Sequence, residues 1–287
     1  SFSQLYPEDL WILSRLSDTV SKVTKHLFRY NPSAALGTAR DFFWSEFCDW
    51  YLELIKPRIK DKKSAYVAKS VLALTIDHVL RLLHPFVPYI TEALWEMLGQ
   101  KVPVRGLEYP LPQSELIISA EWPEAVKKWQ NKEIEEELDL IKNIIRAIRD
   151  LRAQYNVPPS KQIGAAIKTS VGNEKDIKKY AEYIKNMTKI ENLKVGSDLT
   201  RPALSAVAVV KNLEVYLLNV LDPEKERNKL LKQKEKTLQG LNLAEKKINN
   251  PGFINKAPDH IVKAEQQRIE QMKNQLILIE KSLKELL

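Results

Sequence analysis

The sequence predicts a mainly α protein built as a helical bundle, a small α+β module and a C-terminal antiparallel two-helix coiled coil. Three observations carry this. Apolar residues recur at helical spacing through most of residues 1–155. Short β-rich runs replace that pattern between 160 and 220. The last 65 residues return to a heptad pattern, interrupted once by Pro and Gly. The implied parts are 1–125 (bundle), 126–159 (long linker helix), 160–222 (module) and 223–287 (arm).

The first helix runs from Pro7 to about Phe28, with Leu10, Leu13, Leu16, Val20, Val23 and Leu27 on one side. Asn31-Pro32 is a cap followed by proline at the first helical position, and the helix it starts runs to Ile55, before Pro57. A third helix spans Ser64 to Leu83, with Val67, Val71, Leu74, Val79 and Leu82 inward. After the His84-Pro85-Phe86-Val87-Pro88 break, a fourth spans Tyr89 to Leu98. Residues 99–123 hold four prolines and read as irregular chain wrapping the bundle. A long helix follows, Glu124 to about Tyr155, with Ile141, Ile144, Ile145, Ile148 and Leu151 as its buried stripe and Pro158-Pro159 ending it. The module reads βαβββ: a strand at Ile163–Ile167, a helix from Glu174 to Met187, then strands at Leu193–Val195, Ala203–Val210 and Leu213–Leu218. Asp222-Pro223 opens the arm. In its second half Val262, Ile269, Met272, Leu276, Ile279, Leu283 and Leu286 form an a/d seam broken only by Glu265. Leu231, Leu238, Leu241 and Ile248 supply the partner seam, and the chain reverses through Asn249-Asn250-Pro251-Gly252-Phe253.

Net charge is +8. The arm alone carries 14 Lys/Arg against 9 Asp/Glu. A basic projecting hairpin favours an acidic, phosphate-rich partner over a merely solvated coiled coil. The single cysteine, Cys48, forms no internal disulfide, so a reduced, cytoplasmic setting is expected. No apolar run approaches the ~20 residues that span a bilayer, and no membrane partner is expected. Ser1 as first residue suggests part of a longer chain.

Self-contained chemistry is not expected. The histidines, His26, His78, His84 and His260, lack metal-ligand spacing, and the eight glycines form no phosphate loop. The acidic run Glu133–Glu137 reads as a solvated helix start favoured by the dipole. Candidate RNA contacts remain. Arg146, Arg149 and Arg152 repeat every three residues toward Asn156, as a basic strip or as arginines snorkelling beside a bundle. Arg40 and Trp44 open an aromatic run in which Trp44, Phe47 and Tyr51 either stack bases or form core. On the arm, Lys246, Lys247, Asn250, Lys256 and Lys263 gather near the turn. Phe253 either stacks on RNA or closes the hairpin.

These residues together resemble the valyl-tRNA synthetase family. Asp9-Leu-Trp-Ile-Leu-Ser-Arg-Leu16 looks like the entry to the class I anticodon-binding domain, and Phe43-Trp-Ser-Glu-Phe-Cys-Asp-Trp-Tyr-Leu-Glu-Leu-Ile-Lys-Pro57 like its second helix. Leu82-Leu-His-Pro-Phe-Val-Pro-Tyr-Ile-Thr-Glu-Ala-Leu-Trp95 is shared with leucyl and isoleucyl relatives. Ile118-Ser-Ala-Glu-Trp-Pro-Glu124, Ile145-Arg-Ala-Ile-Arg-Asp-Leu-Arg152 and Asn156-Val-Pro-Pro159 fit the segments that follow. Asn250-Pro-Gly-Phe-Ile-Asn-Lys-Ala-Pro258 resembles the hairpin turn of the valyl arm and argues for that branch. The resemblance covers essentially the whole sequence.

It implies that the bundle receives the anticodon stem-loop of tRNA(Val) and the arm the outer corner of the same tRNA. The two contacts would reinforce each other through effective concentration. The family's nucleotide signatures, His-Ile-Gly-His and Lys-Met-Ser-Lys-Ser, are absent; Lys185-Asn-Met-Thr-Lys189 is only faintly similar to the second. Catalytic residues, metal ligands and cofactors are therefore expected to be missing from this stretch. ATP with magnesium, and a catalytic domain upstream in the same chain, are implied for a longer, monomeric enzyme. Two other readings are the same region of an isoleucyl or leucyl enzyme and a coiled-coil protein-interaction module.

Overall fold

The computed structural model describes residues 4–112, 114–158, 160–248 and 259–284. It divides into two compact units, Ser1–Lys142 and Asn143–Leu287.

In the first unit, α1 (Pro7–Phe28) packs against three neighbours: α2 (Pro32–Asp41), the wider π-helical segment Phe42–Tyr51 and α4 (Ala65–Leu83). It is therefore a central helix rather than one with a single apolar side. Trp11, Ile12, Leu13, Leu16, Val20 and Val23 are buried, and so are Glu8, Asp9, Ser14, Ser17 and Thr19. Buried polar groups need partners. Ser17 donates to the carbonyl of Val126 at 3.0 Å and Thr19 to that of Arg15 at 2.8 Å. Ser14 donates to Glu135 at 2.5 Å and accepts from the Asn131 amide at 2.9 Å. Arg15 forks onto Glu46 at 2.8 and 2.9 Å and reaches Glu135 at 3.3 Å.

The expected single helix from Pro32 to Ile55 is not what forms. Asn31 caps α2 by accepting from the Ala34 amide, as its sequence suggests. From Phe42 the coil widens to i→i+5 hydrogen bonds, and the Leu52 amide still bonds to the Phe47 carbonyl. The wider coil brings residues four apart nearly into line, so Phe43, Phe47 and Tyr51 stack at 6.0 Å intervals. Nor does Pro57 stop the chain, because α3 (Leu52–Lys60) runs through it. The backbone bond lost at proline is offset one residue later. Arg58, 8 % exposed, pairs with Glu8 at 2.5 Å and Asp9 at 2.9 Å and clamps α3 onto α1. Burial pushes the Asp9 carboxyl above its usual range even with Arg58 beside it, the desolvation cost of a buried pair.

Helix α4 places Val71, Leu74, Val79 and Leu82 inward as expected, with Val67 only partly covered. It packs on α5 (Pro88–Lys101), a turn longer than its apolar pattern suggests. The proline-rich stretch is irregular except for one 3-10 turn at Ile117–Ser119, and it is pinned by polar contacts. Arg105 joins Arg81 on the buried carboxylate of Asp77, each at 2.7 Å, and both guanidinium groups lie over the Trp95 ring. Trp95 donates to the Ser114 carbonyl, and Glu92 accepts from the Ile117 amide. The long helix α6 (Lys132–Gln154) begins eight residues later than the apolar pattern suggests. Asn131 sets the start, its side chain accepting from the Ile134 amide at 3.1 Å. Glu135 corrects the solvated reading of the acidic run: it is buried, whereas Glu133 and Glu136 are exposed.

In the second unit a four-stranded sheet has the order β2-β1-β4-β3, from β1 (Ile163–Lys168), β2 (Ile190–Gly196), β3 (Ala206–Val210) and β4 (Leu213–Leu217). β1 pairs parallel to β2 and antiparallel to β4. The parallel crossover is not one helix but two, α7 (Val171–Lys179) and α8 (Ala181–Thr188). They break at Tyr180, whose ring is fully buried and whose backbone (φ −102, ψ 12) leaves the helix. At Gly164 a Cβ would lie 2.9 Å from a terminal methyl of Leu218, so any larger residue would have to push that side chain aside from β1.

The arm is α9 (Pro223–Ile248) packed on α10 (Asp259–Lys284). The α10 seam lies where its heptad puts it: Glu265, Ile269, Met272, Leu276, Ile279 and Leu283 are covered or half-covered, and Ile279 is 5 % exposed. The side chain of Val262, and Leu286, lie outside the described residues. The α9 seam differs by one step. Leu231 and Leu238, expected inside, are exposed, and the covered positions are 230, 234, 237, 241, 244 and 248. Glu265 is matched across the seam by Lys247 at 3.3 Å, while Lys234–Glu280 and Lys273–Glu245 bridge the helices at 2.8 Å.

Two predictions follow from these contacts. Burial pushes the Glu135 carboxyl up, but Ser14, Lys132 and Arg15 outweigh it and hold Glu135 below its usual value of 4.5. A lowered folded value means stability fully present above the unfolded value and lost as pH falls through the folded one. Glu135→Gln should therefore lower the melting temperature at pH 7, and thermal scans down to pH 3 should show the gap to wild type closing. A gap of unchanged size at pH 3 would exclude this linkage. In the arm, Leu241→Ala should cost about 2 kcal/mol, but Leu231→Ala less than about 0.5 kcal/mol. Urea unfolding monitored by helical circular dichroism measures both, and equal losses would mean the register is wrong.

Candidate nucleic-acid interface

The sequence candidates fall into three groups. In the first unit Arg40 is exposed and pairs with Asp41 at 3.0 Å. Trp44 is 58 % exposed, edge-on to Phe43 at 5.0 Å, whereas Phe47, Trp50 and Tyr51 are buried. Of that aromatic run, then, Trp44 is the ring open to a base and the other three are core. The Tyr51 hydroxyl donates to Asp9 at 3.1 Å, and burial beside that carboxyl drives its pKa far up.

On α6 the three arginines do not form one surface. A helix turns 100° per residue, so each three-residue step drifts about 60° and six residues drift about 120°. Arg146 and Arg149 stay in solvent, but Arg152 has turned inward and is 6 % exposed. Its guanidinium donates to the carbonyls of Pro158 at 2.5 Å and Lys161 at 2.8 Å, and burial pulls its pKa down. Arg149 donates to the Met187 carbonyl at 3.1 Å at the end of α8. Asn156 has a left-handed backbone (φ 53) and terminates α6: its amide bonds to Ala153 O, and the Val157 amide to Arg152 O. Arg149, Arg152 and Asn156 line one open cleft of about 650 Å³ with Met187 and Lys189. Carbonyls from the loop after α6 and from the end of α8 face the arginines here, so much of the donor capacity is used internally.

On the arm Lys246 and Lys247 project from the last turn of α9, both exposed. Asn250, Phe253 and Lys256 lie outside the described residues, and so does the side chain of Lys263, which sits on α10. Among the described residues no group of three or more His, Cys, Asp or Glu side chains could hold a metal, and no helix is long and apolar enough to cross a membrane. The sequence reading does not single out Phe28 and Tyr30, which are 81 % and 95 % exposed, well beyond Trp44. The available signal was a pair of aromatics at the end of an amphipathic helix, directly before an Asn-Pro cap.

Comparison with known proteins fits this layout. Residues 9–168 match the family model of the anticodon-binding domain of tRNA ligase, and residues 222–287 that of the valyl tRNA synthetase tRNA binding arm. The chain is 35 % identical over 282 residues to a valine–tRNA ligase of Thermotoga maritima, covering 97 % of this chain and 30 % of that protein. It is 33 % identical to one from Legionella pneumophila over 275 residues (93 % and 29 %), and 34 % to one from Clostridium acetobutylicum over 280 residues (96 % and 30 %). The chain thus spans about 30 % of the length of these relatives. With a matched anticodon-binding domain over more than half its length and the valyl-type arm after it, the chain belongs to the tRNA-ligase anticodon-binding family, in its valyl-tRNA synthetase branch.

Proposed function

We propose that this chain binds tRNA(Val) at two places, the bundle taking the anticodon stem-loop and the arm the outer corner. It would do so as part of a monomeric, cytoplasmic enzyme that joins valine to tRNA using ATP and magnesium. The chemistry belongs to other parts of that enzyme, because the nucleotide signatures are missing from this sequence. The observation that carries the reading is the pairing of two tRNA-binding family matches, residues 9–168 and 222–287, in one basic chain. The arm supports it through its excess of 14 cations over 9 carboxylates, with Lys246 and Lys247 exposed beside the turn.

A second reading, in which the arm pairs with a protein helix, draws on Leu231, Leu238 and Leu243, which lie exposed along α9. Salt separates the two. RNA affinity falls steeply with salt through counterion release, whereas apolar pairing does not.

Binding of tRNA(Val) should lose roughly an order of magnitude or more between 50 and 200 mM salt, if several phosphates are contacted. Lys246→Ala with Lys247→Ala should lower the slope of log affinity against log salt by about 1–2. Removing 223–287 should weaken tRNA(Val) far more than an isolated anticodon stem-loop. Filter binding of both RNAs measures this, and equal losses for the two would place the arm away from the tRNA corner.

A further inference from the structure

We propose that the turn between α1 and α2 is a stacking site for an unpaired nucleobase of single-stranded RNA, formed by Phe28, Tyr30 and Trp122, with Lys25 and Arg29 meeting the flanking phosphates. The proposal rests on the RNA-binding reading above and assigns it a site.

α1 ends with Tyr30 in the left-handed region at φ 53. The Tyr30 amide bonds to Leu27 O and the Asn31 amide to His26 O, both at 2.9 Å, the same closure that Asn156 gives α6. Glycine or asparagine takes that conformation cheaply, and a bulky residue does not. Here the position holds a tyrosine whose ring is 95 % exposed. A ring in solvent adds little packing energy, so stability does not explain the choice. Lys189, Leu204 and Lys211 take the same backbone conformation, so what marks this turn is the exposure of the Tyr30 ring beside that of Phe28, which points to a use outside the fold.

The turn is also rigid. Only Arg29, Tyr30 and Asn31 separate α1 from α2, and Asn31 caps α2 at once, with Pro32 at its first position. Both rings therefore stand on a turn fixed at each end. Trp122 is fixed as well, its indole donating to the Thr24 hydroxyl at 2.8 Å. Together with Thr24 and Leu27, the three rings line an open, largely apolar hollow of about 340 Å³, within the size range of small-ligand sites. A flat base entering it would meet the anchored Trp122 indole and two exposed rings carried on a backbone turn fixed at each end.

Charge selects the occupant. From Ser21 to Arg40 the sequence holds Lys22, Lys25, Arg29 and Arg40 and no carboxylate. Lys25 and Arg29 are exposed and bracket Phe28. Aromatic rings interleaved with cations suit a base and its phosphates better than an apolar peptide. Glu121 and Glu124, next to Trp122 in sequence, disfavour phosphate there and leave the α1 side for the RNA backbone.

The test uses the full chain and an RNA hairpin whose loop carries the tRNA(Val) anticodon, with 2-aminopurine replacing each loop base in turn. Binding should quench the fluorophore at one or two loop positions. Phe28→Ala with Tyr30→Asn, which relieves the backbone, should weaken hairpin binding roughly 10- to 100-fold, with an unchanged salt slope and a melting temperature no lower than that of the parent chain. Phe28→Tyr with Tyr30→Phe keeps both rings and should retain binding. Lys25→Ala with Arg29→Ala should instead lower the salt slope by about 1–2. Unchanged affinity and quenching in the Phe28→Ala, Tyr30→Asn variant would overturn the stacking site and leave the tRNA reading intact. Failure of the ring-keeping variant to bind would also overturn it. If the intact chain binds neither the hairpin nor tRNA(Val), both readings fall.

Discussion

Much of the first unit depends on one buried polar junction, where Ser14 and Arg15 of α1 meet Glu135 of α6 and Glu46 of the π-helical segment. A central helix is wrapped on most sides, so its polar residues must be satisfied by whatever packs on them. Ser14 satisfies two elements at once, accepting from the Asn131 amide and donating to Glu135. That contact fixes where α6 can begin. Helical periodicity alone would allow the helix to start near residue 124. The cap at Asn131 and the ion pairs one turn later choose the later start, and the 3-10 turn Lys127–Trp129 takes up the slack. Leaving Glu135 unpaired here would strand a buried charge, so the junction specifies geometry even though its net contribution to stability is modest.

The arm is governed by volume. α10 brings Ile269, Met272, Leu276 and Ile279 to the seam, all large. The facing α9 positions alternate large residues, Leu230, Leu241 and Ile248, with smaller or amphipathic ones, Thr237, Ala244 and the stem of Lys234, and Met272 lies over Gly240. Large residues at every step on both sides would overpack the interface. The leucines that look like the α9 seam, Leu231 and Leu238, are therefore one position off it. Polar pairs complete the register, with Lys247 answering Glu265, the one charged residue in the α10 heptad.

What could be read from the sequence follows from the range of the forces involved. The ends of α1, the Asn31 cap, the core face of α4 and all four strands are set by local pattern and were legible. The features that escaped depend on distant partners. Continuation through Pro57 needs Arg58 to find Glu8 and Asp9, some fifty residues earlier. The break at Tyr180 accompanies the complete burial of its ring, which no local propensity reveals. The candidate site divides the same way. Trp44 is open and Phe47 and Tyr51 are not, because the π-helical coil stacks the latter inward. Arg152 turned out to brace its own helix end, and Asn156 to terminate it, since three-residue spacing carries the strip around the helix.

The cations of this chain sort by chemistry. Arg15, Arg58, Arg81, Arg105 and Arg152 are each held by two or more oxygen partners inside the protein, a task suited to a planar fork of five donors. The lysines lie mostly at the surface. Lys142 is the informative exception, its ammonium over the Trp11 ring and within 2.6 Å of Asp139. A lysine surface attracts phosphate as a diffuse field, strong near the chain but indifferent to sequence. Discrimination among RNAs must then come from the few groups with direction as well as charge: exposed arginines such as Arg29, Arg40 and Arg146, and exposed rings on rigid backbone. A basic chain can hold any tRNA by the first means. To favour one it needs the second.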